Sequence, residues 1–197
     1  GQPEPKPSKT DPKKHPINWE TLANLRERPI AIISTNKGTI RVQLMPEVAP
    51  GSVAMFVEQA RKGYYNGKSF HRVAPNFVAQ GGCPRGDGYG SLDFTLRTEV
   101  PAPMRYDNEG MVGLASAGLD TESVQFFITH SPAPHLDGNY TIFATVIDGM
   151  SVVRDLHIGD VINKISIQFK KRFQGSRVPK FQGSTRNLGT LKPWNFG

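Results

Sequence analysis

Residues Phe70-His71-Arg72-Val73-Ala74-Pro75-Asn76-Phe77-Val78-Ala79-Gln80-Gly81-Gly82 bring together a set of side chains able to do chemistry without an acid, a base or a nucleophile. Two apolar-alternating runs flank a Pro75-Asn76 turn. Side chains on a strand alternate faces, so Arg72, Phe77 and Gln80 can surround one groove with a permanent cation, an apolar ring and an amide. That set suits a reaction that twists a bond rather than breaks one. Arg72 is the candidate donor, because a guanidinium stays charged and offers a rigid fork of N–H groups. Gln80 is the candidate for orienting it. Each also has an ordinary reading: a surface arginine in a weak ion pair, a strand-edge glutamine facing water, a packed phenylalanine.

Other chemistries find little support. No set of His, Cys, Asp and Glu has the spacing of metal ligands, so neither a metal nor any cofactor is expected. The glycines from Gly82 to Gly90 are not followed by Gly-Lys-Ser/Thr and a helix, which excludes a phosphate-binding loop of that kind. His71 is expected on the side opposite Arg72. Cys83 is the one cysteine. It excludes an intrachain disulfide and reads as a small, partly buried residue rather than a reactive thiol.

The elements that position these residues are legible as patterns. Ile30 to Thr35 and Thr39 to Leu44, joined through Gly38, read as a β-hairpin. A helix is expected from Pro50, with Val53, Phe56, Val57 and Ala60 on one face and Gly63 as the stop. Further strands are expected near 111–115, 125–129, 141–147 and 161–169, with a short helix near 150–156. Ile17 to Arg28 is expected to form a short helix with Trp19, Leu22 and Leu25 on one side. Many short strands with two helices point to a β-barrel.

The ends differ from the middle. Residues 1–16 hold five prolines and four lysines, a composition that favours an extended, unpacked segment. The chain opens Gly1-Gln2-Pro3 and reads as a processed fragment. Eight of the 24 Lys and Arg residues lie from Lys164 onward, where there is no Asp or Glu. The net charge of +7 therefore belongs to the C-terminal segment, and the middle is close to neutral. The expected division is 1–28 as a Pro/Lys-rich linker with a helical lead-in, 29–169 as one domain, and 170–197 as a basic extension. No run has the apolar length of a membrane span.

The 70–82 segment resembles the signature of the cyclophilin-type peptidyl-prolyl isomerases. Gly113-Leu114-Ala115-Ser116-Ala117-Gly118 with Val124-Gln125-Phe126-Phe127-Ile128 resembles that family's second motif, and His135-Leu136-Asp137-Gly138-Asn139-Tyr140-Thr141-Ile142-Phe143 its third. The resemblance covers about Pro29 to Ile167 and is nearest to prokaryotic-type members. It implies a mainly β fold, a closed eight-stranded antiparallel barrel capped by two α-helices. It implies catalysis of X-Pro cis–trans isomerisation in proline-containing polypeptides without cofactor; the oligomeric state is open, with a monomer as the default expectation. It implies catalytic roles for Arg72, Phe77 and Gln80. It implies a proline pocket of Phe77, Val78, Phe127 and Leu136, a substrate-backbone edge at Ala115, Ser116 and Ala117, and further substrate contacts at Gln125, His135 and Tyr140. His135, Ser116, Tyr140 and Val78 depart from the best-known eukaryotic pattern of Trp, Asn, His and Met, and the loss of the indole N–H and apolar face at His135 argues against tight binding of the cyclic peptide cyclosporin.

A second reading is a proline-peptide binding module with incidental turnover. A third gives the cluster Lys170-Lys171-Arg172 with Phe173 a contact with nucleic acid, against which a merely solvated basic tail is preferred. The stalk-like start suits a bacterial cell envelope, periplasmic or secreted setting, with the cytoplasm left open.

Overall fold

The computed structural model describes residues 13–14, 17–23, 25, 28–101 and 103–169. The basic extension from 170 onward and most of the Pro/Lys-rich start lie outside the described residues. The elements are β1 (Lys13–Lys14), α1 (Trp19–Ala23), β2 (Ile30–Thr35), β3 (Gly38–Leu44), α2 (Pro50–Arg61), β4 (Phe70–Ala74), β5 (Val78–Gly81) and β6 (Phe94–Thr95). They continue with β7 (Met111–Leu114), β8 (Phe126–Thr129), a 3-10 turn (Pro134–Leu136), β9 (Ile142–Asp148), α3 (Met150–Arg154) and β10 (Ile162–Gln168). No helix among the described residues is long and apolar enough to cross a membrane.

Eight strands form one antiparallel sheet in the order β10-β2-β3-β9-β7-β8-β5-β4. The sheet curls but does not close as a ladder, which corrects the expectation of a closed barrel. Its two edge strands meet at one isolated bridge, Ser69 to Val161. Around it Phe70 N–H donates to Asp160 O at 2.8 Å and Ile162 N–H to Lys68 O at 2.8 Å. Each edge strand has a ladder on one side alone, β4 with β5 and β10 with β2, so the seam rests on that bridge and the hydrogen bonds around it. The expected helix over 17–28 is shorter. Among the described residues α1 stops at Ala23, and Leu25 N–H donates to Leu22 O, an i to i+3 bond that tightens the turn. Trp19 is 72% exposed, whereas Leu25 enters the core.

Two apolar cores result. The larger fills the curl, around the rings of Phe56, Tyr65, Phe70, Phe126 and Phe143. Phe56 meets Phe126 edge-on with centroids 5.7 Å apart, a favoured aromatic geometry. The second core comprises Met45, Val78, Tyr106, Met111, Phe127, Ala133, Leu136 and Ile142. It lies apart from the first.

Helix α2 begins with Pro50, whose missing N–H costs nothing in the first turn. Its other first-turn donors are satisfied from afar. The Glu99 carboxylate accepts Gly51 N–H at 3.0 Å, Ser52 N–H at 2.9 Å and the Ser52 hydroxyl at 2.7 Å. An anion there also complements the helix dipole. Glu99 N–H in turn donates to Thr141 Oγ1 at 2.8 Å, and Thr141 N–H donates to Glu122 Oε1 at 3.1 Å.

Glu122 is fully buried, and its second oxygen has no partner among the described residues. Burial raises its pKa from 4.5 to about 7, Thr141 offsetting part of the rise and the carboxylates of Glu99 and Asp120 adding to it. A folded pKa above the unfolded one means folding takes up a proton. The resulting stability is complete below the unfolded pKa and is lost as pH rises through about 7. Glu122→Gln is expected to remove that dependence. Urea denaturation at pH 5 and pH 8 should show the wild type losing on the order of 3 kcal/mol at most relative to the variant. Equal losses in the two proteins would refute it.

Candidate active site

A single row across four strands positions the side chains at issue. Arg72 on β4 stands opposite Gln80 on β5, Gln80 opposite Phe127 on β8, and Phe127 opposite Gly113 on β7. Cross-strand partners share a face, so Arg72, Gln80 and Phe127 project to the same side. Val78, two residues from Gln80, joins them. Arg72 gains this face through a register shift between Phe70 and Arg72, where β4 carries one residue more than β5. Such a bulge breaks the alternation. Phe70 turns into the main core and Arg72 turns out. The turn that follows has Pro75 in second place and Asn76 in third with φ +59°, closed by Phe77 N–H donating to Ala74 O at 3.0 Å. That is the pattern of a type II turn, with Asn tolerating the left-handed backbone.

The row overlooks a hollow of about 310 Å³. Its floor is Val78, Phe127 and Leu136, which are 2%, 5% and 8% exposed. Phe77 and Tyr140 are half-buried beside it, and Arg72, Gln80, Ala115 and Ser116 complete its rim. The floor belongs to the second core, not to the inside of the curl. The Arg72 guanidinium lies over the Phe77 ring at 5.6 Å, a cation–π distance.

Hydrogen bonds extend from Arg72 in one direction. Its Nη1 donates to Gln80 Oε1 at 3.4 Å, and Gln80 Nε2 donates to Gln125 Oε1 at 3.1 Å. Gln125 Nε2 donates to the carbonyls of Gly88 at 3.0 Å and Gly90 at 2.6 Å. Both amides are thus held with oxygen toward the arginine side. A guanidinium held over a dry hollow can offer an N–H to a developing lone pair, and nothing in the set can form a covalent intermediate.

Comparison with known proteins agrees. Residues 30–172 match the family described as Cyclophilin type peptidyl-prolyl cis-trans isomerase/CLD. The chain belongs to this family. It is 42% identical over 129 residues to peptidyl-prolyl cis-trans isomerase B of Bacillus subtilis, covering 66% of this chain and 90% of that one. It is 44% identical over 142 residues to a peptidyl-prolyl cis-trans isomerase of Synechococcus elongatus, covering 70% and 94%. The crystal structure of a Cryptosporidium parvum cyclophilin-type isomerase superposes with a TM-score of 0.69 at 29% identity, covering 73% of this chain and 99% of that one. The same isomerase crystallised in the presence of the dipeptide Ala-Pro superposes with a TM-score of 0.68 at 30% identity, covering 71% and 99%.

In this cyclophilin domain the remaining expected residues lie around the hollow rather than in it. Ala117 is exposed and Gln125 half-buried, and both line an adjoining depression of about 370 Å³ that shares Gln80, Ala115 and Ser116 with the first. His135 is exposed and stacks on Phe77 at 5.2 Å and 31°. It lines a third depression with Leu136 and Tyr140. His71 occupies the bulge beside Gly88, its ring nitrogens buried without a partner among the described residues. Burial lowers its pKa, against the pull of Asp87. A larger depression of about 540 Å³ on the far side of the hairpin takes in His130, His157 and Arg154. Arg154 there is committed to Glu109.

Cys83 is more deeply buried than expected, at 1% exposure. Burial raises its thiol pKa, yet the backbone groups of Gly90, Arg85, Gly88 and Asp87 outweigh that and leave it lowered. Gly88 N–H donates to its sulfur at 3.3 Å.

Tyr106 escaped sequence reasoning. It is fully buried and stacks on Phe127 at 5.7 Å and 26°. Its hydroxyl donates toward the carbonyls of Tyr140 and Thr141 at 3.3 and 3.4 Å. The only sequence signal was an aromatic in a polar stretch. Gly113 makes room for it: a Cβ there would lie 2.1 Å from the Tyr106 hydroxyl oxygen and 2.6 Å from the tip of Phe127. Gly113→Ala is therefore expected to displace Phe127 and lower kcat/KM on a proline peptide by at least about tenfold, with a loss of stability of roughly 1–3 kcal/mol. Unchanged kinetics would show that the floor tolerates the shift.

Proposed function

We propose that this isomerase accelerates X-Pro rotation by binding the twisted amide through Arg72. The planar bond resists rotation by about 18–20 kcal/mol because the nitrogen lone pair is delocalised into the carbonyl. Uncatalysed X-Pro exchange takes tens of seconds or more. At the twist the lone pair returns to the prolyl nitrogen. A donor fixed at that atom stabilises the twisted state and not the planar ones, which is what catalysis requires. In this reading the prolyl ring sits on Val78, Phe127 and Leu136 against Phe77. The Arg72 guanidinium faces its nitrogen, and Gln80 with Gln125 holds the guanidinium in place. Ala115, Ser116 and Ala117 receive the substrate backbone. His135 and Tyr140 shape the wall beyond Phe77. The catalytic domain spans 29–169 and acts as a monomer on proline-containing polypeptides.

The observation that carries this reading is one charged donor set at the rim of an otherwise apolar, buried floor. A receptor for proline peptides would need the floor but not the oriented cation, and no observation favours that alternative.

Arg72→Ala is expected to lower kcat/KM on an Ala-Pro peptide by about 10²- to 10³-fold, the usual loss on removing one fixed transition-state donor. Arg72→Lys should recover part of the rate, since a point charge lacks the fork. The check is exchange spectroscopy or a protease-coupled assay. Full activity in Arg72→Ala would remove the mechanism.

A further inference from the structure

The two-residue strand β1 pairs with β6 in parallel, Lys13 opposite Phe94 and Lys14 opposite Thr95. Thr95 lines the depression that adjoins the isomerase hollow, and so do Gly88, Tyr89, Gly90 and Ser91 of the loop leading into β6. Lys13, the first described residue, therefore stands beside the start of β6, at the end of the strand that the loop 88–91 leads into. That loop forms one wall of the depression, and the depression shares Gln80, Ala115 and Ser116 with the hollow under Arg72.

The segment upstream has the composition of a substrate. Residues 1–12 contain the bonds Gln2-Pro3, Glu4-Pro5, Lys6-Pro7 and Asp11-Pro12. At roughly 3 Å per extended residue, the six to eight residues between Lys13 and the Pro5–Pro7 stretch reach about 20 Å or more. That length is enough to cross one small depression and enter the next. Tethering also makes the encounter intramolecular, with an effective concentration in the millimolar range for a short linker.

We propose that the Pro5–Pro7 stretch of the chain's own N-terminal segment enters the groove in cis. It would serve as a built-in X-Pro substrate that competes with other polypeptides. The proposal rests on the Arg72 hollow being the isomerase site. It names an occupant for that site.

The test is exchange NMR on the full chain, labelled with ¹⁵N, following the cis and trans signals of residues flanking Pro5 and Pro7. The expected result is exchange at least about tenfold faster than in a free peptide of residues 1–16. The rate should not change when the protein is diluted, and it should fall to the peptide value in Arg72→Ala. Exchange at the peptide rate, while the same sample accelerates an Ala-Pro peptide, overturns the proposal and leaves the site reading intact. Exchange that scales with protein concentration also overturns it, since one molecule is then acting on another. Failure to accelerate the Ala-Pro peptide as well would overturn both. Full chain carrying Pro5→Ala and Pro7→Ala should turn over the external peptide with a KM several-fold lower, and an unchanged KM counts against self-occupancy.

Discussion

The arrangement depends on one constraint: a permanent, solvent-exposed cation must stand at the edge of an apolar floor without being tied to a carboxylate. The bulge at His71 meets it first, by turning Arg72 away from the core that receives Phe70. Gln80 and Gln125 meet it next. Both are neutral, so they orient the guanidinium without neutralising it; Gln80 donates to Gln125, and Gln125 donates to the carbonyls of Gly88 and Gly90. A carboxylate in place of Gln80 would tie up that charge in an ion pair.

The floor demands a core of its own. Val78, Phe127 and Leu136 are nearly buried, yet they pack with Tyr106, Met111 and Ile142 rather than with the rings inside the curl. A protein that merely exposed part of its main core would destabilise it whenever the hollow changed. Here Tyr106 lies behind Phe127, and its backbone is tied by Tyr106 N–H to Asp137 Oδ1 at 2.7 Å. The 3-10 turn that carries Leu136 is anchored to the same residue, through Ala133 N–H donating to Tyr106 O at 2.8 Å. One buried tyrosine thus couples the floor to the wall.

Stability and site also share the segment around Thr141. Glu99 caps α2 and reaches Thr141, while Thr141 reaches Glu122 and accepts Leu114 N–H at 3.0 Å, one residue before the rim begins at Ala115. Glu122 is the costly member of this chain of contacts, a carboxyl whose second oxygen is buried without a partner among the described residues.

Much of this was legible in residue order alone. Alternation marked the strands, helical spacing and Pro50 marked α2, and three motifs in order placed Arg72, Phe77, Gln80 and Phe127 in one family and one groove. These features are local, or depend on spacing that any fold of the chain must respect. Residue order could not show that the curl stays open, because seam pairing depends on which edges meet. Nor could it separate floor from core, since Val78 and Phe127 look alike in either place. The bulge that aims Arg72, the room that Gly113 leaves for Tyr106, and the reach of Glu99 to a helix 47 residues earlier exist only once distant strands are side by side. They were decided by tertiary structure, because each is a contact between atoms that the chain brings together from far apart.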